Sequence, residues 1–188
     1  MGQRSRWIAD LDALAGDAPD LAGRVLARLV DAGVVVAERT DCVLGDVPGG
    51  YAPGPAAGSA AVGDPAGFPD VWPNGLELDV GRGAYYGTMR EDDRVRCPNC
   101  GAWLPFETVL DAVEEWLEGG PDGLACARCG ERTGFNGWRW PVPCAFAELG
   151  LRFWNWPPLA GAFVADLASH LGHRLVTGSS SDQREPRA

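Results

Sequence analysis

The sequence predicts the α+β class: N-terminal helices followed by a mixed β-sheet with packed helices, the second part carrying a four-cysteine site. Three observations lead there. Cys97-Pro98-Asn99-Cys100-Gly101 is repeated in form by Cys126-Ala127-Arg128-Cys129-Gly130. Residues 106–118 carry apolar side chains at helical spacing, whereas residues 76–80 and 147–153 alternate with the period of a strand. A chain of 188 residues with 46% hydrophobic content is large enough to bury a sizeable core.

The chain is predicted to divide into an N-terminal helical part (1–47), a Pro/Gly-rich loop or linker (48–75), a metal-binding α+β part (76–177) and a disordered tail (178–188). Trp7, Ile8, Leu11 and Leu14 predict a first helix over residues 5–15, with Ser5 as its cap. Asp17 and Pro19 suit the start of a second helix. Its apolar stripe is Leu21, Ala22, Val25, Leu26, Leu29 and Val30, and Gly33 ends it. Val34-Val35-Val36 reads as a short strand. Between Pro48 and Gly75 almost half the residues are Pro or Gly, too many for a regular element, although Tyr51, Phe68, Val71 and Trp72 imply that parts of this loop lie on the fold.

Leu76–Val80 and Ala84–Met89 predict a hairpin turning at Gly81-Arg82-Gly83. Pro105 opens the helix that follows, and Gly119-Gly120 closes it. A strand over 147–153, a helix carrying Leu159, Phe163, Leu167 and Leu171, and a strand at 174–177 predict a right-handed crossover joining a parallel pair.

Four thiolates on two-residue spacers close a tetrahedron around one Zn²⁺, and the Gly after each pair permits the positive φ that turns the backbone back towards the sulfurs. Cys97, Cys100, Cys126 and Cys129 are therefore the predicted ligands of a structural zinc ion, with iron as the alternative. Such a site has no open position for substrate. Cys42 and Cys144 stand apart and read as core residues. His170 and His173, the only histidines, suit the C-terminal end of a helix. With no nucleophile–base motif or nucleotide-binding loop in the chain, the expectation is a non-enzymatic protein.

The two clips resemble the knuckles of zinc-ribbon and rubredoxin-like proteins, over about ten residues. The resemblance implies two turns, each at the tip of a strand pair, sharing one tetrathiolate metal. An electron-transfer role would follow if the metal were iron. The helix–helix–strand order at the N-terminus resembles a winged helix, although its second helix offers only Arg24 and Arg28 to a phosphate backbone.

All 16 basic residues are arginine, as in GC-rich bacteria, and the net charge is −10. That charge argues against non-specific nucleic-acid binding and favours a basic protein partner. Glu107, Asp111, Glu114, Glu115 and Glu118 fall on the polar side of the 106–118 helix. With Trp154, predicted to face outward, they are the candidate partner-binding residues. The alternative is a nucleic-acid-associated ribbon protein, which would need Arg82, Arg90, Arg94, Arg96, Arg128, Arg132 and Arg139 gathered on one face. With no membrane-spanning run, and with charge too close to the N-terminus for a secretion signal, the predicted location is the cytoplasm.

Overall fold

The computed structural model describes residues 4–45, 49–63 and 71–181. In chain order the elements are β1 (Ser5–Asp10), α1 (Ala18–Asp31), β2 (Val35–Thr40), β3 (Gly50–Pro53), β4 (Gly75–Tyr86), β5 (Arg94–Arg96), β6 (Trp103–Pro105), α2 (Phe106–Leu117), β7 (Leu124–Ala125), β8 (Arg132–Thr133), β9 (Cys144–Trp154), α3 (Gly161–Leu171) and β10 (Leu175–Ser179). Six of the strands form one sheet in the order β10-β1-β9-β4-β3-β2, with antiparallel neighbours throughout. The hairpins β5–β6 and β7–β8 carry the cysteine segments. No helix among the described residues is long and apolar enough to cross a membrane.

The first expected helix is instead the strand β1. Ser5, Trp7, Ile8, Ala9 and Asp10 are all buried, because β1 lies inside the sheet between β10 and β9 and is covered on both faces. A short apolar run of this kind fits either period. Leu14, which completed the helical spacing, is 68% exposed. Strand alternation sends Ile8 into the main core with Leu151, α1 and α3, while Trp7 and Ala9 join Tyr85, Ala145 and Ala147 in a smaller cluster on the other face. The N-terminal segment therefore supplies strands to the same sheet as the rest of the chain, and the winged-helix order is absent.

The second expected helix is α1, with Pro19 in its first turn and Leu21, Ala22, Val25 and Leu29 buried; Asp17 precedes it but makes no side-chain cap bond. A bidentate Arg28–Asp166 pair, with a shortest distance of 3.0 Å, links α1 to α3.

Three further expectations are corrected. Gly81-Arg82-Gly83 is a bulge within a single strand, since both halves of β4 pair with the long β9 and the register shifts between Val80 and Gly83, where Gly81 has φ +110°. The crossover from β9 through α3 to β10 does exist, but β1 sits between the two strands, so no parallel hydrogen-bonded pair forms. The 48–75 segment contains β3, which bridges β2 and β4. Close packing explains some of its glycines: a Cβ at Gly75 would run into Cys42 Sγ, and one at Gly50 would lie 2.9 Å from the same sulfur. Pro48 and Phe68 fall outside the described residues. Of the expected tail, Gly178 and Ser179 belong to β10, and residues 182–188 lie outside the described set.

Candidate metal centre

The two cysteine segments fold into the same local structure. In the first, the Cys97 N–H donates to Ala102 O (2.8 Å) and the Gly101 N–H to Cys97 O (3.1 Å). In the second, Cys126 N–H donates to Glu131 O (3.0 Å) and Gly130 N–H to Cys126 O (2.8 Å). Gly101 and Gly130 close these loops at φ +71° and +77°, a conformation that a β-carbon disfavours. An Asn99 Nδ2 to Thr133 Oγ1 bond of 3.0 Å ties the first knuckle to the second hairpin.

All four sulfurs lie within 4.8 Å of one another. Cys97 Sγ is 3.9 Å from Cys129 Sγ, and Cys100 Sγ is 3.7 Å from Cys126 Sγ. A metal–sulfur bond of about 2.3 Å in a regular tetrahedron requires sulfur separations of about 3.8 Å, so the donor set fits a tetrathiolate metal ion. Cys97 and Cys126 are buried, whereas Cys100 and Cys129 reach solvent. Backbone N–H groups of Cys129 and Arg128 point at the Cys126 sulfur and lower its pKa to about 6. At Cys129 the Glu131 N–H favours the thiolate, but desolvation and the three neighbouring sulfurs outweigh it and push the pKa up to about 12. Four sulfurs packed this closely cannot all ionise without a cation between them.

Around the sulfurs lies a separate aromatic core of Val95, Leu104, Val109, Val113, Trp116, Phe135, Trp138 and Phe146. The inner face of α2 supplies Val109, Val113 and Trp116. Trp116 meets Phe135 and Phe146 edge-on at centroid distances of 6.1 and 5.7 Å. Since Phe146 belongs to β9, this core joins the cysteine unit to the main sheet. Arg82, at the β4 bulge, makes a second joint. Its guanidinium donates to Trp116 O (2.5 Å) and Gly120 O (2.6 Å) at the end of α2, pairs with Glu148 at 3.3 Å and lies 5.3 Å from the Trp116 ring.

The outer face of α2 presents Glu107, Asp111, Glu114, Glu115 and Glu118, all exposed, and no ion pair among the described residues involves them. Trp154 is not part of that surface. It is half-buried, its Nε1 donates to Glu77 at 2.8 Å, and the Arg152 guanidinium lies 5.9 Å from its ring. It stands eight positions further along β9 than Phe146, which touches α2, or about 26 Å along the strand at 3.3 Å per residue.

The seven arginines considered for a basic face divide into two kinds. Arg82, Arg96 and Arg132 are engaged with backbone carbonyls, whereas Arg90, Arg94, Arg128 and Arg139 are exposed and make no ion pair among the described residues. His170 sits in the last turn of α3. His173 Nδ1 lies 2.8 Å from the buried Asp10 carboxylate, which also accepts the N–H groups of Asp12 and Ala13. Cys144 lies against the aromatic core, where burial pushes its thiol pKa well up, and Cys42 packs on Gly50 and Gly75. Sequence reasoning overlooked the exposed Trp103 beside the first knuckle; a large aromatic two residues past a knuckle glycine, in a strand register opposite to that of the buried Leu104, was the available signal.

No family model, curated protein or solved structure matches the chain.

Proposed function

We propose that this is a cytoplasmic, non-enzymatic protein stabilised by a structural zinc ion, and that it acts as an adaptor, accessory protein or inhibitor of a basic partner through the outer face of α2. The observation that carries the reading is the set of five exposed carboxylates on a helix whose opposite face is packed against the cysteine unit. Structural helices commonly balance such a face with neighbouring basic residues, and among the described residues none pairs with these acids. A fixed, unpaired acidic surface accelerates encounter with a basic partner and loses little ordering entropy on binding. Leu117, 43% exposed at the end of the same helix, offers apolar area next to the charges.

Zinc is assigned because four thiolates with no open position suit its structural role, and Cys97, Cys100, Cys126 and Cys129 would hold it. When bound, the ion supplies the positive charge that lets the four sulfurs ionise together. The chain contributes the N–H groups that stabilise sulfur charge, and α2 covers the buried side of the site. Reversal of Glu114 and Glu115 to Arg is expected to abolish binding of lysine- and arginine-rich peptides, and capture of the native partner, with zinc content and folding unchanged. Binding that survives the reversal would refute the reading.

A further inference from the structure

The face of the cysteine unit opposite α2 has the reverse character. In β5–β6, Val95 and Leu104 are paired and buried inward, so alternation sends the paired Arg96 and Trp103, and the paired Arg94 and Pro105, outward. A third backbone segment extends this small sheet. Arg96 and Arg139 exchange both backbone hydrogen bonds, at 3.0 and 3.1 Å, which places the Arg139 side chain on the same outward face while its neighbour Trp138 is buried and Trp140 half-buried.

Trp103, Arg96 and Arg139 thus stand in a row across three backbone segments, spanning about 10 Å at about 4.8 Å per step. Arg94 lies one pleat away from Arg96. The Arg96 guanidinium is 5.6 Å from the Trp103 ring, and Trp103 is still 56% exposed. Arg94 and Arg139 are exposed, and the ion pairs Arg28–Asp166, Arg82–Glu148, Arg152–Glu77, Arg152–Asp79, His173–Asp10 and Arg174–Asp12 among the described residues involve none of Arg94, Arg96 and Arg139. In a chain of net charge −10, three arginines around an exposed indole are a local concentration of positive charge.

We propose that this outer face, formed by Trp103, Arg94, Arg96 and Arg139, binds single-stranded nucleic acid. The ring offers a stacking surface that every base can use, and the arginines offer charge to the adjacent phosphates. The patch is built on strands and carries no recognition helix, which suits an unpaired strand with splayed bases better than a duplex groove. It also lacks the side-chain amides that read base edges, so binding is insensitive to sequence. This site is distinct from the acidic face of α2, and the two succeed or fail separately.

The test is fluorescence anisotropy with labelled 20-nucleotide oligo(dT) and oligo(U), using zinc-loaded full-length protein. Neutralising three phosphates predicts a log–log salt slope of about −2. Trp103→Ala is expected to weaken binding about ten-fold or more. Arg139→Glu with Arg94→Glu is expected to abolish it, and Glu114→Arg with Glu115→Arg to leave it intact. Arg96 is spared because it donates to Gly101 O in the knuckle. Absence of binding at 50 mM salt, or binding indifferent to Trp103→Ala in a variant that retains its metal, overturns the proposal. Two other results also overturn it: an acidic peptide bound as tightly with the same Trp103 dependence, or an Arg94/Arg139 reversal that instead changes the oligomeric state and so marks the patch as a contact with a second copy of the chain.

Discussion

Arg82→Ala tests how the cysteine unit is joined to the sheet. Arg82 is the side chain at the β4 bulge that reaches the C-terminal end of α2, where it donates to Trp116 O and Gly120 O and lies over the Trp116 ring. Hydrogen bonds from a charged donor contribute about 1.5–3 kcal/mol each, and a partly desolvated cation–π contact about 0.5–1 kcal/mol. The side chain is 28% exposed, so water replaces part of what is lost, and the net destabilisation is about 2–3 kcal/mol. For a chain of this size that lowers Tm by roughly 4–12 °C. Urea unfolding and calorimetry of the metal-bound protein measure it directly. Arg82→Lys keeps the charge but loses the planar fork that spans both carbonyls, and should fall between wild type and Ala. Metal content should not change, because Arg82 touches neither knuckle. A loss below about 0.5 kcal/mol, the range of ordinary surface substitutions, would refute the reasoning.

Gly150→Ala places a Cβ against the Tyr85 hydroxyl and ring in the small cluster of the second face, where Tyr85 is buried; it should cost about 1–3 kcal/mol in urea unfolding and disturb near-ultraviolet circular dichroism. The Asp12 carboxylate, held by hydrogen bonds from Arg174, titrates at about 2. Its contribution to stability is present above the unfolded value of about 3.9 and is lost as pH falls towards 2, and Arg174→Gln should return its NMR titration towards 3.9. Because metal binding requires thiolates, zinc should be retained at neutral pH and released on acidification, as protons compete with the metal for the four sulfurs. A chromophoric chelator reads that release, and retention of all the metal at pH 4 would contradict it.

The centre was legible in the sequence because its information is local: ligand identity, two-residue spacers and the following glycines are all contiguous. The α1 and α2 stripes were legible for the same reason, each having one buried face at a single period. What was hidden depends on partners distant in sequence. Trp7-Ile8-Ala9 becomes a strand because β9 and β10, some 145 and 170 residues further along, pair with it on either side. Gly81-Arg82-Gly83 carries the residues of a turn, and only the length of β9 decides that the chain runs straight through. The glycines at 50 and 75 signal flexibility locally but serve close approach to Cys42. Alternation predicts an outward Trp154, but nothing local showed that Glu77 and Arg152 would engage it, eight positions along β9 from the Phe146 that touches α2.

X-ray absorption at the metal edge, on protein purified without added metal, decides whether Cys97, Cys100, Cys126 and Cys129 form one closed zinc site. The prediction is one zinc per chain with four sulfur neighbours at about 2.3 Å. Iron in place of zinc, or a first shell containing nitrogen or oxygen, would contradict it.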